Sequence, residues 1–169
     1  MVAGGPVGND ARRLGADFGA REIYVANHTG NSVSIIDTVT DSVLATVPVG
    51  NGPRSPVANS GLGKVYVPNY NDASVSVIDT LTRAVTKTIP VGSGPQYAAV
   101  DAAHDKVYVN NVADRTISVI DSATDSVIKT LPSGAGSDDN FGNVNHAYGR
   151  YYLANSVKPY PLGNVQGLG

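Results

Sequence analysis

The strongest constraint on this chain is that one passage recurs three times at a fixed spacing. "EIYVANHTGNSVSIIDTVTDSVLATVPVGNGP" begins at Glu22, "KVYVPNYNDASVSVIDTLTRAVTKTIPVGSGP" at Lys64 and "KVYVNNVADRTISVIDSATDSVIKTLPSGAGS" at Lys106, a period of 42 residues without a gap. Tyr24, Tyr66 and Tyr108 align, as do Asn27, Asn69 and Asn111, then Asp37, Asp79 and Asp121. Gly8, Gly50, Gly92 and Gly134 continue the ladder. A fourth copy starts with "RYYLAN" at Arg150, displaced by two residues, and then the pattern disappears. A fixed period of this length marks an array of like units, each hiding its apolar surface against its neighbours.

Within the copy from Pro95 to Leu131, four short β-branched runs stand out: "PQYAAVD", "KVYVNN", "TISVID" and "SVIKTL". Three to five residues rich in Gly, Asp, Asn and Ala separate them, which predicts strands joined by tight turns. Connections so short join only antiparallel neighbours. Each unit is therefore a four-stranded meander. Alternation predicts that Val75 and Val77 face one way and Ser76 and Ile78 the other. By the same rule Val43, Ala45 and Val47 share a face, opposed by Leu44 and Thr46. Neither face carries charge, so both are covered, as stacked blades around an axis require. A parallel β-helix is the rival, but three hairpin turns per coil argue against it. The expected fold class is all-β: a β-propeller of four-stranded antiparallel blades, with about three and a half to four blades in this chain.

The motif "YVAN…SVSIIDT…VLATVPVG" resembles the YVTN-type β-propeller repeat of surface-layer and secreted proteins. The resemblance covers residues 6 to 155. It departs from the pattern at Pro68 and Asn110, which stand where the first copy has Ala26, and at Ser133 in place of Val49. It implies a ring of about seven blades, roughly twice what this chain supplies, and an extracytoplasmic location: secreted, periplasmic or at the cell surface.

The units run near 11–50, 53–92 and 95–134, with a partial unit at 142–155 and a Pro/Gly-rich, irregular tail at 156–169. "MVAGGPV" falls where a fourth strand belongs, but its glycines make it a poor one. An open arc exposes a flat apolar face and a free strand edge at each end, and both invite association. Three arrangements resolve this. The chain closes as a four-bladed ring, or two chains join into a larger ring, or the blades belong to a longer protein. Self-association through the terminal blades is the partner expectation that follows.

Composition narrows the rest. Charged residues are 15% of the 169, and the net charge is −2 with no basic block, which argues against a nucleic-acid partner. No apolar run approaches a membrane span, so no membrane insertion is expected. The start, "MVAGGPVGND", lacks the regions of a secretory signal, as expected of a cytoplasmic protein or of a chain in mature or partial form. Cysteine is absent, which removes disulfides, thiolate nucleophiles and cysteine-held metals together.

The repeated polar residues are first of all structural. Asp37, Asp79 and Asp121 stand where a short carboxylate accepts turn amide hydrogens, and Asn27, Asn69 and Asn111 look like turn residues. "NHT" at Asn27 matches a glycosylation acceptor, although the asparagine belongs to the repeat. Tyr24, Tyr66 and Tyr108 read as packing between blades. Function in such a fold belongs where copies differ and loops converge. The loops between blades, "GNGPRS", "GSGPQY" and "GAGSDDN", lie on one rim with "NHTG", "NYND" and "NVAD". The ligand-binding candidates are Arg12, Arg54 and Gln96, which align with one another, together with His28, Tyr70 and Tyr97. Tyr70 and Tyr97 lie outside the ladder and are expected to face solvent or ligand. The inserted Asp138, Asp139 and Asn140 join the same rim. His104 and His146 fall on the opposite rim from His28, so no histidine metal site is expected, and the two aspartates lack the spaced ligands of a calcium loop. No G-x-S-x-G elbow, Walker loop or dinucleotide fingerprint is present. No catalytic residue and no cofactor is expected. The reading is a non-catalytic binding or structural module with a protein or small-molecule ligand at its rim. The alternative is a propeller enzyme, such as a lyase, a lactonase or a redox-associated protein, with its pocket on the blade axis.

Overall fold

The computed structural model describes residues 6–133 and, as strands, 141–145 and 150–154. The first sheet consists of β1 (Ala11–Asp17), β2 (Glu22–Asn27), β3 (Ser32–Asp37) and β4 (Ser42–Pro48), paired in sequence order. The second repeats this with β5 (Val57–Asn59), β6 (Lys64–Asn69), β7 (Ser74–Asp79) and β8 (Ala84–Pro90). The third comprises β9 (Pro95–Asp101), β10 (Lys106–Asn111), β11 (Thr116–Asp121) and β12 (Ser126–Pro132). All neighbours are antiparallel. A further antiparallel pair joins β13 (Phe141–Asn145) to β14 (Arg150–Ala154). There is no helix among the described residues, hence none long and apolar enough to cross a membrane.

The sheets stack face to face. Tyr24, Val33, Ile35 and Val47 of the first blade meet Val65, Val67 and Ile78 of the second. One period later Tyr66, Val75, Val77 and Ile89 meet Val107, Val109 and Ile120 of the third. Tyr24 and Tyr66 thus pack between blades, and Val75 and Val77 oppose Ile78, as alternation requires. Each Val or Ile so buried stabilises the stack by about 1.5–3 kcal/mol. This is why the repeats stay alike: identical positions meet identical surroundings.

One face assignment is corrected. A β-bulge shifts the register between Ile35 and Ile36, so that Ala45 opposes Ile35 while Val43 opposes Ile36. Val43 therefore points away from Ala45 and Val47. The extra residue of a bulge reverses the alternation beyond it. The same bulge recurs in the other two sheets, and it sends Val85 to the first interface while Ile89 serves the second.

The hairpin turns confirm the carboxylate reading. Asp37 Oδ1 accepts the amides of Val39 and Thr40 at 2.7 and 2.8 Å, and Asp79 and Asp121 accept those of Thr82 and Thr124. These bonds hold all three carboxyls below the usual aspartate range. Asn27, Asn69 and Asn111, by contrast, are not exposed turn residues. Each is fully buried, and its Nδ2 donates to two hydroxyls of the next strand, Ser32 and Ser34 in the first blade. The amide of Asn27 is thereby unavailable to a sugar in the folded chain. The glycine ladder has the same origin. A Cβ on Gly8, Gly50 or Gly92 would lie within 2.7 Å of that asparagine.

Among the described residues, one face of the first blade has no blade packed on it. Ile23, Val25 and Ile36 are half-exposed, while their counterparts in the second and third blades are at 0%. Leu14 beside Val25 is 63% exposed.

Candidate functional site

Strands β1, β5 and β9 are the first of each sheet, and they lie side by side. They form the inner wall of the stack. The rim at one end of this wall is tied together by the interblade loops. Asn51 N donates to Asp72 Oδ2, and Ser93 N to Asp114 Oδ2, both at 2.6 Å, while Gly52 N reaches Asn31 Oδ1 at 3.0 Å. Each loop preceding a blade is thus fastened to loops that follow second strands. That brings the variable positions of three copies into one place.

In the second blade the inner strand is cut to three residues. Pro56 precedes it without an amide hydrogen to give, and its carbonyl leaves room only for Gly15 on the neighbouring strand, since a Cβ there would approach to 2.2 Å. Arg54 sits in the irregular segment that results, held by a bond from its amide to Pro68 O at 2.8 Å. Its guanidinium lies 4.9 Å above the Tyr70 ring. Arg13 of β1 lies 4.6 Å above the ring of Tyr97 on β9, linking the first blade to the third. Gln96 Nε2 donates to Tyr97 Oη at 3.1 Å. Arg12 is exposed and grips Asp10, with Nε 2.9 Å from each carboxylate oxygen. His28 Nδ1 stands 3.4 Å from Pro53 O.

The electrostatics follow from this crowding. Burial lowers the pKa of Arg54, and the charges of Arg12 and Arg13 lower it further. Its Nε is buried without a hydrogen-bond partner. Asp10 is held below the usual range, first by its bond to Arg12 and also by the charges of Arg12, His28 and Arg54.

Arg12, Arg54, Gln96, Tyr97, Tyr70 and His28 therefore share one rim. Tyr97, expected to face solvent or ligand, is only 6% exposed, with Arg13 over its ring. Asp138, Asp139 and Asn140 lie outside the described residues. Sequence reasoning missed Arg13 and Asp10. Both had a signal: Arg13 aligns with Ser55 and Tyr97, and Asp10 with Gly52 and Gly94, so each stands in a column where the copies disagree. His104 lies at the turn after β9, bonded to Asp101 at 2.9 Å and remote in the repeat from His28. Among the described residues no three His, Asp or Glu side chains gather as metal ligands do.

Four-stranded antiparallel sheets, stacked face to face with their first strands lining a common inner wall, define this chain as a β-propeller protein. Solved structures agree. The chain superposes on hydrazine synthase from Kuenenia stuttgartiensis with a TM-score of 0.72 at 20% identity, covering 92% of this chain and 53% of that one. On the dihydro-heme d1 dehydrogenase NirN the values are 0.67, 18%, 88% and 32%. On AztD from Citrobacter koseri they are 0.63, 17%, 78% and 36%. All are β-propeller proteins, and this chain spans about half of the first and a third of the others. No protein-family model matches the chain, and no curated protein does.

Proposed function

We propose that this chain is a non-catalytic β-propeller binding module of the YVTN repeat type, working outside the cytoplasm and completing its ring by self-association or as part of a longer chain. The observation that carries the binding role is the division of labour between repeated and unrepeated residues. The repeated tyrosines, asparagines and aspartates are spent on packing and turns, whereas the unrepeated Arg13, Arg54, Tyr70, Gln96 and Tyr97 converge on one rim. Ring completion is supported by the half-exposed Ile23, Val25 and Ile36, which the repeat equips to receive a tyrosine-bearing blade face. The location rests on the resemblance of the repeat.

The competing reading, an enzyme with its pocket on the axis, draws on the same arginines. Native mass spectrometry and elemental analysis of the purified protein separate the two. A bound organic molecule without metal or turnover supports the module, whereas a stoichiometric metal or redox group at the axis supports the enzyme. Light scattering tests ring completion. Self-association predicts a dimer or higher assembly, and a folded monomer at every concentration overturns that route to a closed ring.

A further inference from the structure

We propose that the rim site takes a small anion bearing a carboxylate or phosphate group, with Arg54 as its principal ligand; this rests on the reading of the rim as a binding site. The argument begins with two aligned arginines. Arg12 has Asp10 two residues before it and spends its charge there at 2.8 Å. Arg54 occupies the same position of the next copy, but the residue two before it is Gly52. The acid that satisfies the first arginine has been omitted for the second.

The surroundings sharpen the point. Arg54 is half-buried, its Nε is enclosed without an acceptor, and Tyr70 covers one face of the guanidinium. Stacking on a ring engages the flat face of the group and leaves its in-plane N–H fork available. A planar fork of this kind matches carboxylate or phosphate oxygens in pairs. The carboxylate of Asp10 is held by Arg12, and the charges of Arg12 and Arg13 both act against that of Arg54. The repeat does not need a cation here, because the third copy carries Gln96 at this position and folds alike. A guanidinium kept where burial and two like charges oppose it is explained by an anion that removes all three penalties.

The test is calorimetric titration with inorganic phosphate and with citrate at constant ionic strength, using chloride as the control salt. Saturable binding of at least one anion is expected, weakened tenfold or more in Arg54→Gln and less in Arg54→Lys, which keeps the charge but loses the fork. The same protein without anion provides a second readout. Arg54→Leu should melt no lower than the parent, because a repelled, desolvated cation has been removed. A lower melting temperature with anion binding unchanged would make Arg54 a structural residue and overturn the proposal. Absence of saturable binding by both anions overturns it too. If a neutral compound copurifies and is retained in Arg54→Gln, the rim remains a binding site and the anion assignment falls.

Discussion

Glu22 of the first blade holds Arg83 of the second at 2.8 Å, and one period later Lys64 holds Asp125 at 2.7 Å, the same two repeat positions with their charges exchanged. In each interface the tyrosine two residues on donates its hydroxyl to the acid, Tyr24 to Glu22 and Tyr66 to Asp125. The contact is thus preserved while its polarity alternates from one interface to the next. Such alternation gives each blade a preferred neighbour, since shifting the stack by one unit would set like charges together.

Charge exchange at the first interface should therefore be tolerated as a pair and not singly. Glu22→Lys faces Arg83 with a like charge and deprives Tyr24 of its acceptor, and is expected to cost about 2–4 kcal/mol. Adding Arg83→Asp recreates the Lys64–Asp125 arrangement and should restore most of that loss in urea denaturation. A double variant no more stable than Glu22→Lys would show that the pairing does not contribute.

The glycine ladder gives a steric prediction. Gly50→Ala places a Cβ 2.6 Å from Asn69 Cγ, deep in the serine-bonded cluster, and should destabilise by about 1–3 kcal/mol. Gly61→Ala meets nothing nearer than 3.6 Å and should melt with the parent.

Equivalent isoleucines differ in their surroundings. Ile78 is wholly buried between blades, so Ile78→Ala should cost about 2–4 kcal/mol. Ile36 fills the same place on the uncovered face, so Ile36→Ala should cost a monomer much less. In an assembly closed through that face it should instead lower the association constant, which sedimentation would detect.

The turn carboxylates fix the sign of the acid response. Asp37, Asp79 and Asp121 have pKa values below those of an unfolded chain, so their stabilisation is complete above about pH 4 and is lost as pH falls through the folded values. Replacing all three by Ala should flatten the acid limb of the stability profile. Tyr24 and Tyr66 act oppositely, because burial and an adjacent acid raise their pKa. Their contribution is present below about pH 10 and declines above it.

Much of this was legible in the repeat. A 42-residue period with short turns leaves antiparallel meanders covered on both faces, and Asp79 bonding to its own turn follows from local chemistry alone. Asn69 was misread because its position ends a strand, where exposed polar residues are common. Its burial depends on Ser74, Ser76 and the loop glycine closing over it. Val43 was misassigned because a bulge breaks strict alternation without leaving a mark in composition.

Sequence by itself determined the strands, their order and the surfaces that meet, because identical copies must solve identical packing problems. Tertiary structure alone decided which unrepeated side chains become neighbours. Arg13 reaches Tyr97 across 84 residues of chain, and Arg54 stacks on Tyr70 although the two stand in different columns of the repeat. Periodicity records what every blade shares, whereas a site on the inner wall is built from what the blades do not share, and only their stacking brings those differences together.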